Sequence, residues 1–258
     1  MLTIEQRNLK AERAPLPRPD DTALLARADL LFALRDLISS PSPASRDKLE
    51  DVAVDAGELV AAAGLADASL ADGPTLARSV ADAAIAALAQ LDGDRAAELL
   101  TWSAAATGLD LCECAYVRRD RGTILGDIAG FYAAFGAQAV GGETRPDELA
   151  RELEFLALVH VLWLRARRDG DAQAEAVVAD AAEAFWSEHL SAWVALPAAR
   201  ADILPVPGWL NAALHAVRLG CTAMAAASGW NPPSWDDQGE GDRVAPDEVG
   251  CAIDGGVN

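Results

Sequence analysis

The side chains able to do chemistry crowd into residues 112–193. They are the carboxylates Glu113, Asp147, Glu148, Glu152 and Glu154, the histidines His160 and His189, and the thiols of Cys112-x-Cys114. Carboxylates can move protons, hold a hard cation or receive a guanidinium, and thiols and imidazoles can hold a softer metal. The spacing excludes most of these. No second cysteine pair completes a tetrahedral site, since Cys221 and Cys251 lie far away in unrelated contexts. A diiron bundle needs Glu-x-x-His, and the interval from Glu154 to His160 is too long. There is no G-x-x-x-x-G-K-[ST] phosphate loop, and no Ser-His-Asp or Cys-His arrangement that spacing alone defends.

The histidines read as packing residues. His160 shares a helical stripe with Leu149, Leu153, Leu156 and Trp163. His189 is one turn after Phe185 and one before Trp193, and His215 has no acidic or thiol neighbour in sequence. Trp102, Trp163, Trp186 and Trp193 are expected in the core.

The acids from Glu143 to Glu154 are the constellation worth keeping. Pro146-Asp147-Glu148 reads as the first turn of a helix, with proline and acids where a helix start favours them. Glu148 and Glu152 are four apart and share a face, while Asp147 can pair with Arg151. A solvated helix start and a functional acidic patch both account for the cluster. Glu154 sits between Leu153 and Phe155, where a carboxylate is partly desolvated unless it finds a partner.

The elements that must position these residues are helical. Alanine and leucine dominate, and aromatics make up 5% of the chain. Asp21-Thr22 is expected to cap a first helix, stopped at Ser39-Ser40-Pro41. Further helices are expected from Ser45 to Gly64, Thr75 to Leu91, Asp94 to Thr107, Gly122 to Phe135, Pro146 to Arg168, Asp171 to Leu196 and Trp209 to Ser228. Residues 108–121 read as a loop across the bundle, and residues 136–144 as a flexible turn. Residues 1–20 are expected to be a flexible arm, and the proline-, glycine- and acid-rich residues 229–258 a disordered acidic tail. The expected fold is therefore all-α, one domain over residues 21–228 with about eight helices.

Forty acidic against 21 basic residues give a formal charge of −19. Such a surface repels nucleic acid and anionic membranes and favours cationic partners. No run of roughly 18 apolar residues suggests a membrane span, and the N-terminus has no secretory apolar region. Four cysteines make no disulfide framework in a chain this long, so a cytoplasmic protein with reduced thiols is expected.

Longer stretches carry a resemblance. GDIAGFYAAFG, then RPDELARELEFL, then FWSEHLSAWV resemble the cytoplasmic TorD/DmsD/NarJ-like chaperones of molybdenum enzymes. The branch serving relatives of dimethylsulfide and ethylbenzene dehydrogenases looks nearest. The family's Glu-x-x-Tyr element corresponds to Glu113 and Tyr116. Its Asp-x-x-x-Phe-Tyr-x-x-Phe-Gly helix corresponds to Asp127, Phe131, Tyr132, Phe135 and Gly136. Its Pro-Asp-His-x-x-x-Glu-Leu-Glu-Phe corresponds to Pro146, Asp147, Glu152, Leu153, Glu154 and Phe155, and its Phe-x-x-x-His-Leu-x-x-Trp to Phe185, His189, Leu190 and Trp193. The match covers residues 109–197. One departure is that the family's histidine after Pro-Asp is Glu148 here, which makes the position more acidic and removes a titrating imidazole.

The resemblance implies a TorD-like chaperone with no catalytic turnover, cofactor or metal of its own. Its partner would be the apo catalytic subunit of a molybdopterin enzyme of the DMSO reductase family, often engaged through a twin-arginine leader. It would hold the client for cofactor insertion and prevent premature export. Asp147, Glu148 and Glu152 are then expected to receive arginines. Tyr116, Phe131 and Tyr132 would line the apolar part, with Glu113 and His189 completing the site. Glu154 is expected to be an internal strut toward residues 113–116. A helical enzyme binding a metal or small ligand is the alternative, and a structural subunit of a helical assembly a third reading.

Overall fold

The structure is a computed structural model that describes residues 18–39, 43–66, 73–91, 108–137 and 145–231. Among these residues there is no strand, and eight α-helices can be followed. They are α1 (Asp21–Ile38), α2 (Arg46–Ala62), α3 (Gly73–Leu91), α4 (Arg121–Ala134), α5 (Leu149–Arg168), α6 (Ala172–Phe185), α7 (Leu196–Ala201) and α8 (Gly208–Ser228). The all-α expectation holds. The expected helix 94–107, with Trp102, lies outside the described residues, as do 1–17, 138–144 and 232–258.

Helix α1 is the spine. Its leucines 24, 30, 31, 34 and 37 are buried, and it packs against α2, α3, α5 and α8. Helices α2 and α3 pair, α8 covers α3, and α6 lies along α5. The approach of α8 to α1 depends on Gly220. A Cβ there would lie 2.8 Å from Leu34 Cδ1, so no larger residue fits without a shift. The buried Arg27 ties α1 to two other elements, donating from Nε to Ala63 O (3.0 Å) and from Nη1 to Ser228 Oγ (3.1 Å). Burial lowers its pKa to about 10, with Asp20 working the other way, so the guanidinium stays charged at neutral pH.

Helix boundaries depart from expectation at three places, each for a local reason. The cap of α1 is Asp20 rather than Asp21-Thr22, because the Asp20 carboxylate accepts from Ala23 N at 2.8 Å. Helix α5 begins at Leu149, not Pro146. Glu148 is extended (φ −77°, ψ 134°), and the preceding residues bond to the 111–114 segment instead of opening a helix. Helix α6 does not run unbroken to Leu196. It passes at Trp186–Leu190 into a single π-helical turn, then a short helical turn at Ser191–Trp193. One extra residue in a turn re-phases the helix, so Phe185, Trp186, His189, Leu190 and Trp193 all face the core. The last helix ends at Ser228 as expected. Gly229 closes α8 in the left-handed conformation (φ 71°), and Trp230 turns back, buried, to stack on Trp186 with centroids 6.0 Å apart. Trp186 Nε1 donates to Asn231 O at 2.8 Å.

Candidate functional site

Two irregular segments are joined beside the N-terminus of α5. Glu113 N donates to Asp147 O and Leu149 N to Leu111 O, both at 2.8 Å, and an isolated antiparallel bridge pairs Cys112 with Glu148. Asp147 is fully buried, which would be costly for a lone carboxylate. It is met by a fork from Arg145, with Nε to Oδ1 at 3.0 Å and Nη2 to Oδ2 at 2.7 Å, and Cys114 N donates to Oδ2 at 3.3 Å. The expected pairing of Asp147 with Arg151 is therefore replaced. Arg151 instead donates to Glu154 at 2.7 Å.

Behind this seam lies a second buried acidic group. Glu113, Glu152 and His189 present no surface to solvent. His189 Nδ1 donates to Glu113 Oε2 at 2.9 Å, and Trp193 Nε1 donates to Glu152 Oε2 at 3.2 Å. Glu113 Oε1 and Glu152 Oε1 meet no donor from any other described residue. Burial, and then the charge of Glu113, drive the Glu152 pKa well above the ordinary glutamate range. That shift favours the protonated form of Glu152, and its side-chain contact with Glu113 acts in the same direction. His189 Nε2 is likewise without a partner among the described residues.

Aromatic rings wall this network. Phe131 meets the imidazole of His189 edge-on at 5.7 Å and Phe185 at 5.3 Å, while Tyr132 lies 4.8 Å from Phe155. The Tyr132 hydroxyl donates to Pro146 O at 2.9 Å, and Tyr116 stacks on Trp193 at 5.6 Å with its hydroxyl on Asp110 O at 2.7 Å. Glu113, Tyr116, Phe131, Tyr132, Asp147, Glu152 and His189 thus converge from five stretches of chain. They form a packed cluster in which Glu113 meets His189, while Asp147, Glu152 and the two tyrosines find partners just outside the set.

Glu148 stands apart. It is half-buried, facing a separate hollow of about 360 Å³ with Arg35, Asp36, Ser39, Ala150, Arg151 and Glu154. Partial burial raises its pKa, with Arg151 acting against the shift. Glu154 lines the same hollow, paired with Arg35 Nη1 at 3.2 Å and with Arg151. The expected strut from Glu154 to residues 113–116 is therefore a misassignment. Glu152, one position from Leu153 and in phase with Leu149 and Leu156, is the carboxyl that reaches Glu113. That phase was the available signal.

Cys112 and Cys114 flank Glu113 in the seam. Burial pushes the Cys114 thiol up to about 12 despite a hydrogen bond from Arg145, and raises Cys112 further. Among the described residues, no cluster of three or more His, Cys, Asp or Glu side chains has a geometry that could hold a metal ion. His160 is a core histidine, its Nδ1 on Leu156 O at 2.8 Å, as its stripe predicts. His215 does find an acid, with Nε2 at 2.8 Å from Asp202 Oδ1 across a turn that spacing did not reveal. No described helix is long and apolar enough to cross a membrane.

The segment that builds this cluster is also the one that matches a known family. Residues 109–198 match the family described as the nitrate reductase delta subunit. The match spans 90 of the 258 residues, and the family it names is of the NarJ/TorD chaperone type. The family consists of molybdoenzyme maturation factors rather than enzymes, and its members partner with molybdoenzyme catalytic subunits. No curated protein matches the chain, and no solved structure does.

Proposed function

We propose that this protein is a cytoplasmic maturation chaperone. It binds the apo catalytic subunit of a molybdopterin enzyme of the DMSO reductase family, keeps it competent for cofactor insertion and holds it back from export. The observation that carries this reading is the coincidence of the family match with the segment that builds the Glu113–Glu152–His189 cluster. Within the family, the GDIAGFYAAFG, RPDELARELEFL and FWSEHLSAWV elements support the branch serving dimethylsulfide and ethylbenzene dehydrogenase-type enzymes.

In this reading a client's twin-arginine leader first meets Glu148, which faces an open hollow where the neighbouring Glu154 is already held by Arg35 and Arg151. Asp147 and Glu152 take a guanidinium only after the 111–114 seam opens. Tyr116, Phe131 and Tyr132 then receive the apolar part of the leader, with Glu113 and His189 beneath them. The buried network serves as the hinge side of that opening. The chemistry is recognition, with no turnover.

The test is affinity capture from the native host, with bound proteins identified by mass spectrometry. An apo molybdopterin catalytic subunit, released when Glu148 is replaced by lysine, is the expected result. Absence of any molybdoenzyme subunit from the wild-type capture overturns the reading.

A further inference from the structure

A second acidic surface lies wholly outside the segment matched to the family. Helices α1 and α2 flank a groove of about 640 Å³. Its floor is apolar, made by Phe32, Ala33, Val52 and Leu59, and its rim carries four aspartates, Asp29, Asp36, Asp51 and Asp55. The spacing places Asp29, Phe32 and Asp36 along one face of α1, and the exposed Leu25 extends that face by a turn. On α2, Asp51 and Asp55 stand one turn apart.

Two cations also line the groove, and both are directed to a single rim acid, Asp36. Arg35 is already engaged by Asp36 and Glu154, its guanidinium lying 5.1 Å from the Phe32 ring centroid, and Lys48 reaches only Asp36, at 3.9 Å. Asp29, Asp51 and Asp55 have no cationic partner among the described residues. Partial burial already raises the Asp29 pKa, a penalty that an approaching cation would relieve. Through Arg35 and Asp36 the groove is continuous with the hollow that contains Glu148.

We propose that the α1–α2 groove is a docking site for a basic, apolar-faced polypeptide segment, its leucine-like side chains on the Phe32–Val52–Leu59 floor and its arginines or lysines on Asp29, Asp51 and Asp55. Charge complementarity selects this occupant. An acidic or neutral amphipathic segment would leave three rim carboxylates uncompensated, and a bare cation would leave the apolar floor exposed. The groove runs about 10 Å along α1 and about 16 Å along α2, enough for two to three turns of a helical segment. That the segment belongs to a client polypeptide rests on the chaperone reading above. The docking chemistry does not.

The experiment uses the full chain and a synthetic 12-residue peptide with arginines on one helical face and leucines on the other, followed by fluorescence anisotropy. A counterpart with glutamate for arginine serves as the comparison. The wild type should bind the arginine peptide and not the glutamate one. The triple variant D29N/D51N/D55N should bind at least about tenfold more weakly, and D180N, an exposed change on α6, should bind as the wild type does. Circular dichroism should be unchanged throughout. Equal binding by the triple variant, equal binding of the glutamate peptide, or no binding by the wild type each overturns the groove. Capture of the molybdoenzyme subunit separates the two proposals. If the triple variant retains that subunit at the wild-type level, client docking in the groove fails and the chaperone reading stands. If the wild type captures none while the peptide still docks on the three aspartates, the chaperone reading fails and the groove stands.

Discussion

Two acidic regions of this molecule use the same side chain in opposite ways. In the cluster around Glu113 and Glu152, carboxyls are sealed from water and matched to an imidazole, an indole and each other. In the groove between α1 and α2, Asp29, Asp51 and Asp55 stand at a solvated rim with no cationic partner among the described residues. Burial turns a carboxyl into a strut, because its charge must be answered internally before the chain can fold around it. Exposure leaves the charge unanswered and available to a visitor. Net charge alone makes no such distinction.

The contrast is broken or sharpened by measurements of decreasing effect. Replacing Glu113 with alanine removes the partner of His189 Nδ1 and of the Glu152 proton at once. It should lower unfolding free energy in urea by roughly 3–5 kcal/mol. A loss under about 1 kcal/mol would mean the cluster is not a strut. Trp230→Ala should cost about 3 kcal/mol in the same assay, since it deletes the ring packed on Trp186.

The pH dependence should contain two opposed contributions. His160 is buried and neutral, its pKa lowered to about 4 by burial. The unfolded chain takes up its proton near 6.5 and the folded one does not, so stability falls as pH drops from about 6.5 toward 4, by roughly 3 kcal/mol. His160→Leu should flatten that limb of the urea-unfolding profile. Glu152 acts in the other sense. Its folded pKa is raised, so the folded state holds a proton that the unfolded state has released, and stability declines as pH rises above about 4.3. Glu152→Gln mimics the protonated carboxyl, so it should cost less than about 1 kcal/mol at neutral pH and remove that decline. Should Glu152→Gln prove as damaging as Glu113→Ala, the proton belongs to Glu113 instead. At the groove, D29N/D51N/D55N should move stability by no more than about 0.5 kcal/mol, since no described partner is lost.

Much of the fold was legible in the chain, and for a plain reason. Helices α2, α3, α4 and α8 begin and end within about two residues of where apolar spacing and glycine or proline punctuation put them. The site was legible as a set of residues but not as a set of roles. Glu113, Asp147, Glu152, His189, Phe131 and Tyr132 were singled out and do converge. The flanking Leu153 and Phe155 point to burial of Glu154, whereas helical phase puts Glu152 in the core and leaves Glu154 partly exposed. The pairs Glu113–His189, Arg35–Glu154 and His215–Asp202 each join separate elements, and no local pattern encodes them. The start of α5 was misread because Pro-Asp-Glu is an equally good turn when the aspartate is claimed by Arg145.

The wide turn at Trp186–Leu190 makes register the vulnerable quantity here. Excising a single residue, Ser187 for instance, would let the backbone relax to regular winding and swing everything downstream by about 100°. Imidazole and indole would then miss both glutamates, although every interacting side chain would still be present. Tolerance to substitution and tolerance to a one-residue deletion should therefore part company in this stretch, and a scan of single-codon deletions would locate the join more sharply than any scan of replacements.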